Sequence, residues 1–288
     1  MIIIMVNEIN WFPGHMAKTR REIKENLKLV DAVIEIRDSR IVQSSANPEI
    51  DKICKDKPRI ILLNKCDLSE EKVTKEWINV LSKNNVKALA VNSLNGLGLN
   101  SIKGEIDKLL KEKIDRLKQK GVISVIIRAM VVGIPNVGKS SFINKMAKNT
   151  AAKIGDKPGV TKSKQWIKTK MGIELMDTPG VLWPKFEEKK VGLNLAFTGA
   201  IKDEIMDVEE LALSLIERLQ KYYPDRLIKR YKLDSLEETA LENMDKIAKK
   251  RGAILSKGNI DYNRVSIMLL DEFRGGKLGQ VSLERPVE

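Results

Sequence analysis

The sequence of 288 residues has few of the residue types that build disulfide frameworks and metal centres. It contains two cysteines, Cys54 and Cys66, and a single histidine, His15. The two cysteines fit no metal-ligand spacing and are too few for a disulfide scaffold, so we expect free thiols in a reducing compartment. These shortages exclude a zinc module and a disulfide-stapled secreted domain.

Long apolar runs are also missing. Residues 1–6 are apolar but too short for the core of a signal peptide, and no later run reaches the roughly 20 residues of a membrane helix. With 42% hydrophobic residues the chain can still bury a sizeable core, and its length favours two domains. We therefore expect a cytoplasmic globular protein without a membrane partner.

Positive charge is in excess: 52 Lys and Arg against 39 Asp and Glu give a net charge of +13. This balance favours a polyanionic partner such as RNA, although a solvated basic surface explains the composition equally well. One basic cluster lies in the C-terminal part, and no aromatic residue interleaves with it: Lys246, Lys249, Lys250, Arg251 and Lys257. This cluster is weak support for RNA binding.

Residues 133–140, GIPNVGKS, match the phosphate-binding pattern G-x-x-x-x-G-K-[ST] at every fixed position. A β-branched run at 123–132 reads as a strand before this loop, and a helix pattern follows it. Lys139 would reach the β- and γ-phosphates, and Ser140 would bind Mg²⁺. An ordinary glycine-rich turn is the much less favoured alternative. The nucleotide contacts assigned to this loop are Asn136, Val137, Gly138, Lys139, Ser140 and Ser141.

A strand-like run at 59–63 ends in Asn64-Lys65-Cys66-Asp67, which has the N-K-x-D form of a guanine-reading loop. The Asp67 carboxylate can accept hydrogen bonds from the N1–H and exocyclic amine of guanine, a donor pair that adenine lacks. Lys65 would lie along the base and ribose, and Asn64 would tie this loop to the phosphate loop. Alone, the four residues also fit a helix N-cap at Asp67, but with the phosphate loop they favour guanine.

A third strand-like run, at 87–91, leads to Asn92, Ser93 and Leu94, whose backbone N–H groups are candidates for contacting guanine O6. This signal is weak by itself. A long helix follows, with an apolar stripe from Leu99 to Leu117.

Two motifs beyond the phosphate loop complete a GTP site. Thr161 lies in an irregular segment at 151–164, and its hydroxyl is the natural second protein ligand to Mg²⁺. A hairpin pattern at 165–176 then leads to the sequence DTPG, which is the D-x-x-G of a GTPase. Asp177 would bind Mg²⁺ through water, and the Gly180 N–H would sense the γ-phosphate.

The order of these motifs is unusual. N-K-x-D at 64–67 precedes the phosphate loop at 133–140, whereas Ras-like proteins have the phosphate loop first. The sequence therefore predicts an α/β fold, a circularly permuted Ras-like P-loop GTPase domain, over residues 1–190. Permutation keeps the site, because a doubly wound sheet presents each loop at the C-terminal ends of its strands.

Residues 191–288 are predicted to form a small all-α domain that binds RNA or the ribosome. From Glu204 onward the sequence loses its strand-like runs and shows three helical stripes, with a capping box of Ser235 and Glu238. At the other end of the chain, a basic amphipathic helix follows His15, with Ile23 and Leu27 on its apolar face.

The motifs, together with further stretches, resemble the circularly permuted GTPases, in particular those that act on the large ribosomal subunit. The resemblance extends almost end to end and implies GTP and GDP as ligands, with Mg²⁺. It also implies a late precursor of the large subunit and its rRNA as partners, and turnover stimulated by that subunit. Separately, we expect a monomer. The stretches that carry the resemblance are WFPGHMAK at 11–18, NKCD at 64–67, GIPNVGKS at 133–140, PGVT at 158–161, DTPGVLWP at 177–184, LAFTGAI at 195–201 and GQVSLERP at 279–286.

Three single residues take their roles from the resemblance. Val181 stands where Ras-like enzymes have a water-orienting glutamine, as in hydrophobic-substituted GTPases. The resemblance assigns the attacking water to His15 and a K⁺ ion to Asn136. From the residues alone, His15 is more simply a packing or surface residue, and Asn136 is equally a loop-structuring side chain.

Two function classes stay open: a ribosome-assembly GTPase, and an RNA-binding module whose guanine-nucleotide site is a switch without turnover. A third, less favoured function class is a GTPase that acts on tRNA or on a membrane protein. The motifs do not separate the first two, because guanine binding and GTP hydrolysis need many of the same residues.

Overall fold

The computed structural model describes residues 21–83, 85–147, 166–180, 182–183 and 188–286. The predicted positions His15, Thr161 and Val181 lie outside these ranges. The chain divides into two compact units, one within residues 10–184 and 284–288 and the other within residues 185–283. The assignment of the second unit to RNA binding stays a prediction.

The first unit is built on a six-stranded sheet in the order β3-β2-β1-β4-β6-β5. The β5–β6 pair is antiparallel, as the predicted hairpin requires, and the other described pairs are parallel. The central strand β1 is buried along all seven residues, including Glu35, Arg37 and Asp38. The strands are β1 (Ala32–Asp38), β2 (Arg59–Asn64), β3 (Val86–Ala90), β4 (Ile127–Val132), β5 (Trp166–Lys168) and β6 (Ile173–Asp177).

Helices connect these strands. Residues 21–27 are helical and bury Ile23 and Leu27 in one cluster with Val33 of β1, as the amphipathic pattern predicts. The longer helices of the unit are α1 (Pro48–Ile53), α2 (Glu71–Leu81), α3 (Ser101–Leu109), α4 (Lys111–Gln119) and α5 (Lys139–Met146).

Two predicted elements have the wrong length. The helix predicted over Leu99 to Leu117 breaks at Leu110, where φ is −103° and ψ is 14°, and α4 after the break buries no residue. The strand predicted at 123–132 begins only at Ile127, where pairing with β6 starts. Ile123 is fully exposed, because its β-branched run continues beyond the sheet.

Parallel register explains why the predicted motifs share one edge of the sheet. Asp38 at the end of β1 pairs in register with Asn64 at the end of β2. On the other side of the phosphate-loop strand, Val131 of β4 is in register with Asp177 of β6. The loops that follow these strands therefore emerge together, in the geometry that doubly wound sheets use for ligands.

The second unit is all-α in its described residues, as predicted, but contains more helices than the three predicted stripes. Helix α7 is central: it packs on α6, α8, α9 and α10 and buries Leu211, Leu215 and Leu219. The helices are α6 (Lys189–Phe197), α7 (Val208–Tyr222), α8 (Pro224–Tyr231), α9 (Ala240–Arg251) and α10 (Tyr262–Arg274). In the described ranges, none of the helices of either unit could span a membrane.

The capping box predicted at Ser235 and Glu238 is wrong, because α9 begins later. Thr239 is the N-cap, and its hydroxyl accepts from the Glu242 N–H at 3.2 Å. The Asn243 side chain bonds both the N–H and the carbonyl of Glu237, at 2.7 and 3.0 Å. These bonds hold the preceding residues outside the helix.

The predicted basic cluster of the second unit is smaller than its sequence indicates. Lys246 forms an ion pair with Glu237. The Arg251 guanidinium lies 5.2 Å from the ring centroid of Tyr231 and 3.7 Å from the Glu272 carboxylate. Lys246 and Arg251 are therefore paired with residues of the second unit itself. The exposed members of the cluster are Lys249, Lys250 and Lys257.

Residues 284–286 belong to the sheet unit. The Glu284 carboxylate accepts hydrogen bonds from the backbone N–H groups of Gln43 and Ser44, at 2.7 and 3.0 Å, and from the Ser44 hydroxyl. The Trp77 indole donates to the Glu284 carbonyl at 3.4 Å. The end of the described chain is thus attached to the loop that follows β1.

Candidate nucleotide-binding site

The phosphate loop at 133–138 joins β4 to α5, as the motif requires. Gly133 has φ 151° and Gly138 has φ 100°, both in the region that favours glycine. A Cβ on Gly133 would lie 2.6 Å from the Ile36 carbonyl, and one on Gly138 would collide with the Asn64 side chain. Asn136, at φ 59°, is a residue type that tolerates this conformation. The glycines thus allow the loop to lie against β1 and the guanine loop.

Asn64 joins three loops of the site. Its Nδ2 donates to the Val137 carbonyl of the phosphate loop at 2.7 Å, as predicted. Its Oδ1 accepts from the Ser93 N–H at 2.9 Å, so it also holds the loop after β3. A single buried side chain therefore fixes the guanine loop, the phosphate loop and the Asn92–Ser93 loop relative to one another.

The loop after β3 differs from the prediction in one respect. The Ser93 N–H donates to Asn64, the Leu94 N–H to Asn92 Oδ1 at 2.8 Å, and the Asn92 N–H to the Leu97 carbonyl at 3.0 Å. These backbone donors therefore already have protein acceptors. Contact with guanine O6 would require one of them to form a shared, three-centre hydrogen bond.

Asp67 lies in a 3₁₀ turn, Cys66–Leu68, with its side chain exposed. The alternative of a helix N-cap is wrong, because α2 begins later and has Glu70 as its N-cap. The exposed Asp67 carboxylate follows Asn64 and Lys65, which contact the phosphate loop, and it is available to a base. Cys66, next to it, is a free thiol whose pKa is raised by burial.

Lys65 spans from the guanine loop to the phosphate loop. Its ammonium donates to the Asn136 carbonyl at 2.8 Å and lies 3.0 Å from Oδ2 of Asp38. The Lys65 backbone is in the left-handed region, with φ 59°. This contact is the second direct link between the two loops.

Lys139 folds back onto its own loop, donating to the carbonyls of Gly133 and Ile134 at 3.1 and 2.9 Å. Burial lowers the pKa of Lys139 to about 8, and the neighbouring Asp177 carboxylate offsets part of this effect. Ser140 is exposed in the first turn of α5. The buried ammonium thus lies at the phosphate loop, where binding of an anion would stabilise its positive charge.

Asp177 and Gly180 close the site from β6. Burial raises the pKa of Asp177 despite Lys139, and its Oδ1 is buried without a hydrogen-bond partner among the described residues. The Thr178 hydroxyl anchors this loop by donating to the Val131 carbonyl at 2.7 Å. A Cβ on Gly180 would lie 2.7 Å from the Lys139 ammonium, so Gly180 lies against the phosphate loop.

Asp38, the last residue of β1, and the two residues after it, Ser39 and Arg40, belong to none of the predicted motifs, yet they are buried at the same edge. The Asp38 carboxylate contacts both Arg40 and Lys65. A run of polar residues directly after an apolar strand, at the edge that carries the other motifs, is the signal that predicts them.

Comparison with known proteins agrees with this geometry. The family model described as "50S ribosome-binding GTPase" matches residues 128–255. Ribosome biogenesis GTPase A of Bacillus cereus is 49% identical over 97% of this chain and 95% of its own. The protein of the same name from Bacillus pumilus is 50% identical over 96% and 99%.

A crystal structure of GNP-bound YlqF from T. maritima, at 26% identity, covers 94% of this chain and 99% of its own with a TM-score of 0.63. The chain is a GTPase that binds guanine nucleotide, and its motif order is that of a circularly permuted GTPase. Identity over nearly its whole length shows that it belongs to the ribosome biogenesis GTPase A family.

Proposed function

We propose that this GTPase binds a late precursor of the large ribosomal subunit, promotes its maturation, and hydrolyses GTP faster when it is engaged. The observation that carries the nucleotide part is the pair of links, through Asn64 and Lys65, between the guanine loop and the phosphate loop. The names of its relatives support the ribosomal part. Its monomeric state and cytoplasmic location stay predictions.

Cosedimentation with large subunits tests the binding step. We expect the chain to sediment with large-subunit precursors when a non-hydrolysable GTP analogue is present and to be released with GDP. Small subunits and tRNA serve as matched RNA-containing controls. Equal sedimentation with all three would indicate non-specific attraction to RNA and would contradict the proposal.

In the proposed site, Asp67 binds the guanine edge and Lys65 lies along the base and ribose. The backbone of Asn136, Val137, Gly138 and Ser141 surrounds the phosphates, and Gly180 senses the γ-phosphate. Ser140 and Thr161 would hold Mg²⁺, which neutralises charge on the phosphates, and Asp177 would bind it through water. The unpartnered buried Oδ1 of Asp177 supports this last role, because such an atom needs a hydrogen-bond donor.

Nucleotide binding should take up protons through Lys139. Burial lowers the pKa of Lys139 to about 8, and phosphate anions favour the charged ammonium and raise that pKa. Uptake should be larger at pH 8.5 than at pH 7.5, because more of the lysine is deprotonated at the higher pH before the nucleotide binds. Calorimetric titration of GDP in two buffers of different ionisation enthalpy measures this uptake. Equal uptake at the two pH values would contradict it.

Asn136 is proposed to help hold a K⁺ ion beside the phosphates, where a cation offsets charge that develops between the β- and γ-phosphates. We expect subunit-stimulated turnover at least about tenfold faster in K⁺ than in Na⁺, since one such electrostatic contact is worth at least one decade in rate. The variant Asn136→Gly keeps φ 59° without strain, and it should lose the preference for K⁺. Identical turnover of the unmutated protein in both salts would leave Asn136 as a loop-structuring residue.

The second unit is proposed to contact rRNA through Lys249, Lys250 and Lys257. Reversing these three charges to Glu should weaken subunit binding and lower the slope of log affinity against log salt by about 2 to 3. GTP affinity should not change. A matched control reverses Lys52, Lys75 and Lys108, which are exposed on the sheet unit and change net charge equally. The same loss in both triple variants would remove the cluster from the interface.

A further inference from the structure

Asp38, Ser39 and Arg40 form a buried polar cluster, the Asp38 cluster, against the guanine loop. The Ser39 N–H donates to the Asn64 carbonyl at 2.9 Å, and the Ser39 hydroxyl donates to the Lys65 carbonyl at 2.8 Å. Both contacts go to the backbone of the N-K-x-D segment. The cluster therefore fixes the main chain that carries Asn64 and Lys65.

Asp38 and Arg40 form a multiple-contact ion pair. Arg40 donates from Nε to Oδ1 at 3.0 Å, from Nη2 to Oδ2 at 2.8 Å, and from its backbone N–H to Oδ1 at 3.1 Å. Each residue is 1% exposed. Buried ion pairs are weak contributors to stability, because desolvation offsets their attraction. The two-point contact between Arg40 and Asp38 instead limits the carboxylate to one orientation.

The second charged partner of Asp38 is Lys65. Its ammonium lies 3.0 Å from Oδ2 and donates to the Asn136 carbonyl at 2.8 Å. Burial alone would raise the pKa of Asp38, but Arg40 and Lys65 outweigh it and hold that pKa well below its usual range. Asp38, Arg40 and Lys65 together have a net charge of +1, because Arg40 already balances the carboxylate. The Lys65 ammonium, at the Asn136 carbonyl, therefore adds positive charge beside the phosphate loop.

We propose that Asp38, fixed by Arg40, is a positioning residue for guanine-nucleotide binding that sets the Lys65 ammonium against the phosphate loop. A free lysine side chain loses up to about 2 kcal/mol of conformational entropy when it is fixed. In this chain the Lys65 side chain loses that entropy when the protein folds, because Asp38 and the Asn136 carbonyl already hold its ammonium. Nucleotide binding therefore does not have to order it again. The proposal rests on the guanine loop assigned under the proposed function.

The same strand offers a matched control. Glu35 is also 1% exposed and contacts two arginines, with Arg37 Nε at 2.6 Å and Arg59 Nη1 at 3.0 Å. Neither arginine belongs to the guanine or phosphate loop. Glu35→Gln therefore removes a buried carboxylate charge from the same strand without disturbing Lys65.

A double-mutant cycle tests the proposal. GDP affinity is measured by calorimetry for the full chain and for Asp38→Asn, Lys65→Met and the double variant, with thermal unfolding recorded for each. We expect Asp38→Asn to weaken GDP binding about tenfold when Lys65 is present and less than about twofold in the Lys65→Met background, since the two residues act as a unit. Glu35→Gln should change GDP affinity less than about twofold in both backgrounds.

If Asp38→Asn does not fold, Arg40→Lys replaces it, because it keeps the charge and removes the two-point fork. Its expected loss of about threefold should also vanish with Lys65→Met. The same loss of affinity in both backgrounds would make the Asp38 cluster structural and overturn the proposal. Unchanged affinity in Lys65→Met alone would instead contradict the guanine-loop assignment itself.

Discussion

Asp67→Asn should weaken GTP and GDP binding by at least about 100-fold, because it removes two charge-assisted hydrogen bonds of about 1.5–3 kcal/mol each. The Asp67 carboxylate is exposed in its 3₁₀ turn, so the substitution disturbs no packing. The amide of asparagine would present donors to the donors of guanine and leave them unsatisfied. Calorimetry or competition with a fluorescent nucleotide measures the loss.

Replacing guanine by xanthine in the nucleotide distinguishes an Asp67→Asn variant that has lost base recognition from one that has lost its structure. Xanthine carries a carbonyl where guanine carries its exocyclic amine, so an amide donor at position 67 can bond it. Asp67→Asn should therefore bind xanthosine diphosphate more tightly than GDP, with an unchanged thermal unfolding midpoint. Competition by ATP equal to that by GTP in the unmutated protein would show that Asp67 does not select the base.

His15→Ala should lower subunit-stimulated GTP turnover by about 100-fold, the lower end of what one positioned acid–base group contributes. GTP affinity and subunit binding should not change. Val181 has no hydrogen-bonding side chain and leaves the attacking water without the usual glutamine. A neutral imidazole accepts a hydrogen bond from water, and positioning suffices for a loose phosphoryl transition state.

The control for His15 is His15→Gln, since an amide can orient water by hydrogen bonding but does not titrate near neutral pH. We expect it to recover part of the stimulated rate. Full stimulation in His15→Ala would make this residue structural and leave the water to the backbone or to the ribosome.

The nucleotide motifs could be predicted from the sequence because each is a short run whose residue types follow from one chemical task. Parallel strands then bring these runs to one edge, as the register of Asp38 with Asn64 shows. The Asp38 cluster was not predicted because it depends on a contact between β1 and the guanine loop, 26 residues apart in sequence for Ser39 and Lys65. The run of polar residues after β1 marks this position as a candidate site, but a local pattern does not show which loop these residues contact.

Charge was the least predictable property. The cluster at 246–257 read as five equivalent cations, but Lys246 and Arg251 are paired within the helical unit. The start of α9 was misplaced for a related reason, since Asn243 holds Glu237 outside the helix through side-chain bonds. The sequence shows which charged and capping residues are present, but only the structure shows which of them are already paired within the protein.

The decisive measurement is GTP turnover by the full chain, with and without purified large ribosomal subunits or their late precursors. We predict slow turnover alone and at least about tenfold stimulation by large subunits, with no stimulation by small subunits or tRNA, since completing a catalytic site is worth more than one decade in rate. Turnover that stays at its basal rate with large subunits bound would contradict it and would leave a guanine-nucleotide switch that the ribosome does not trigger.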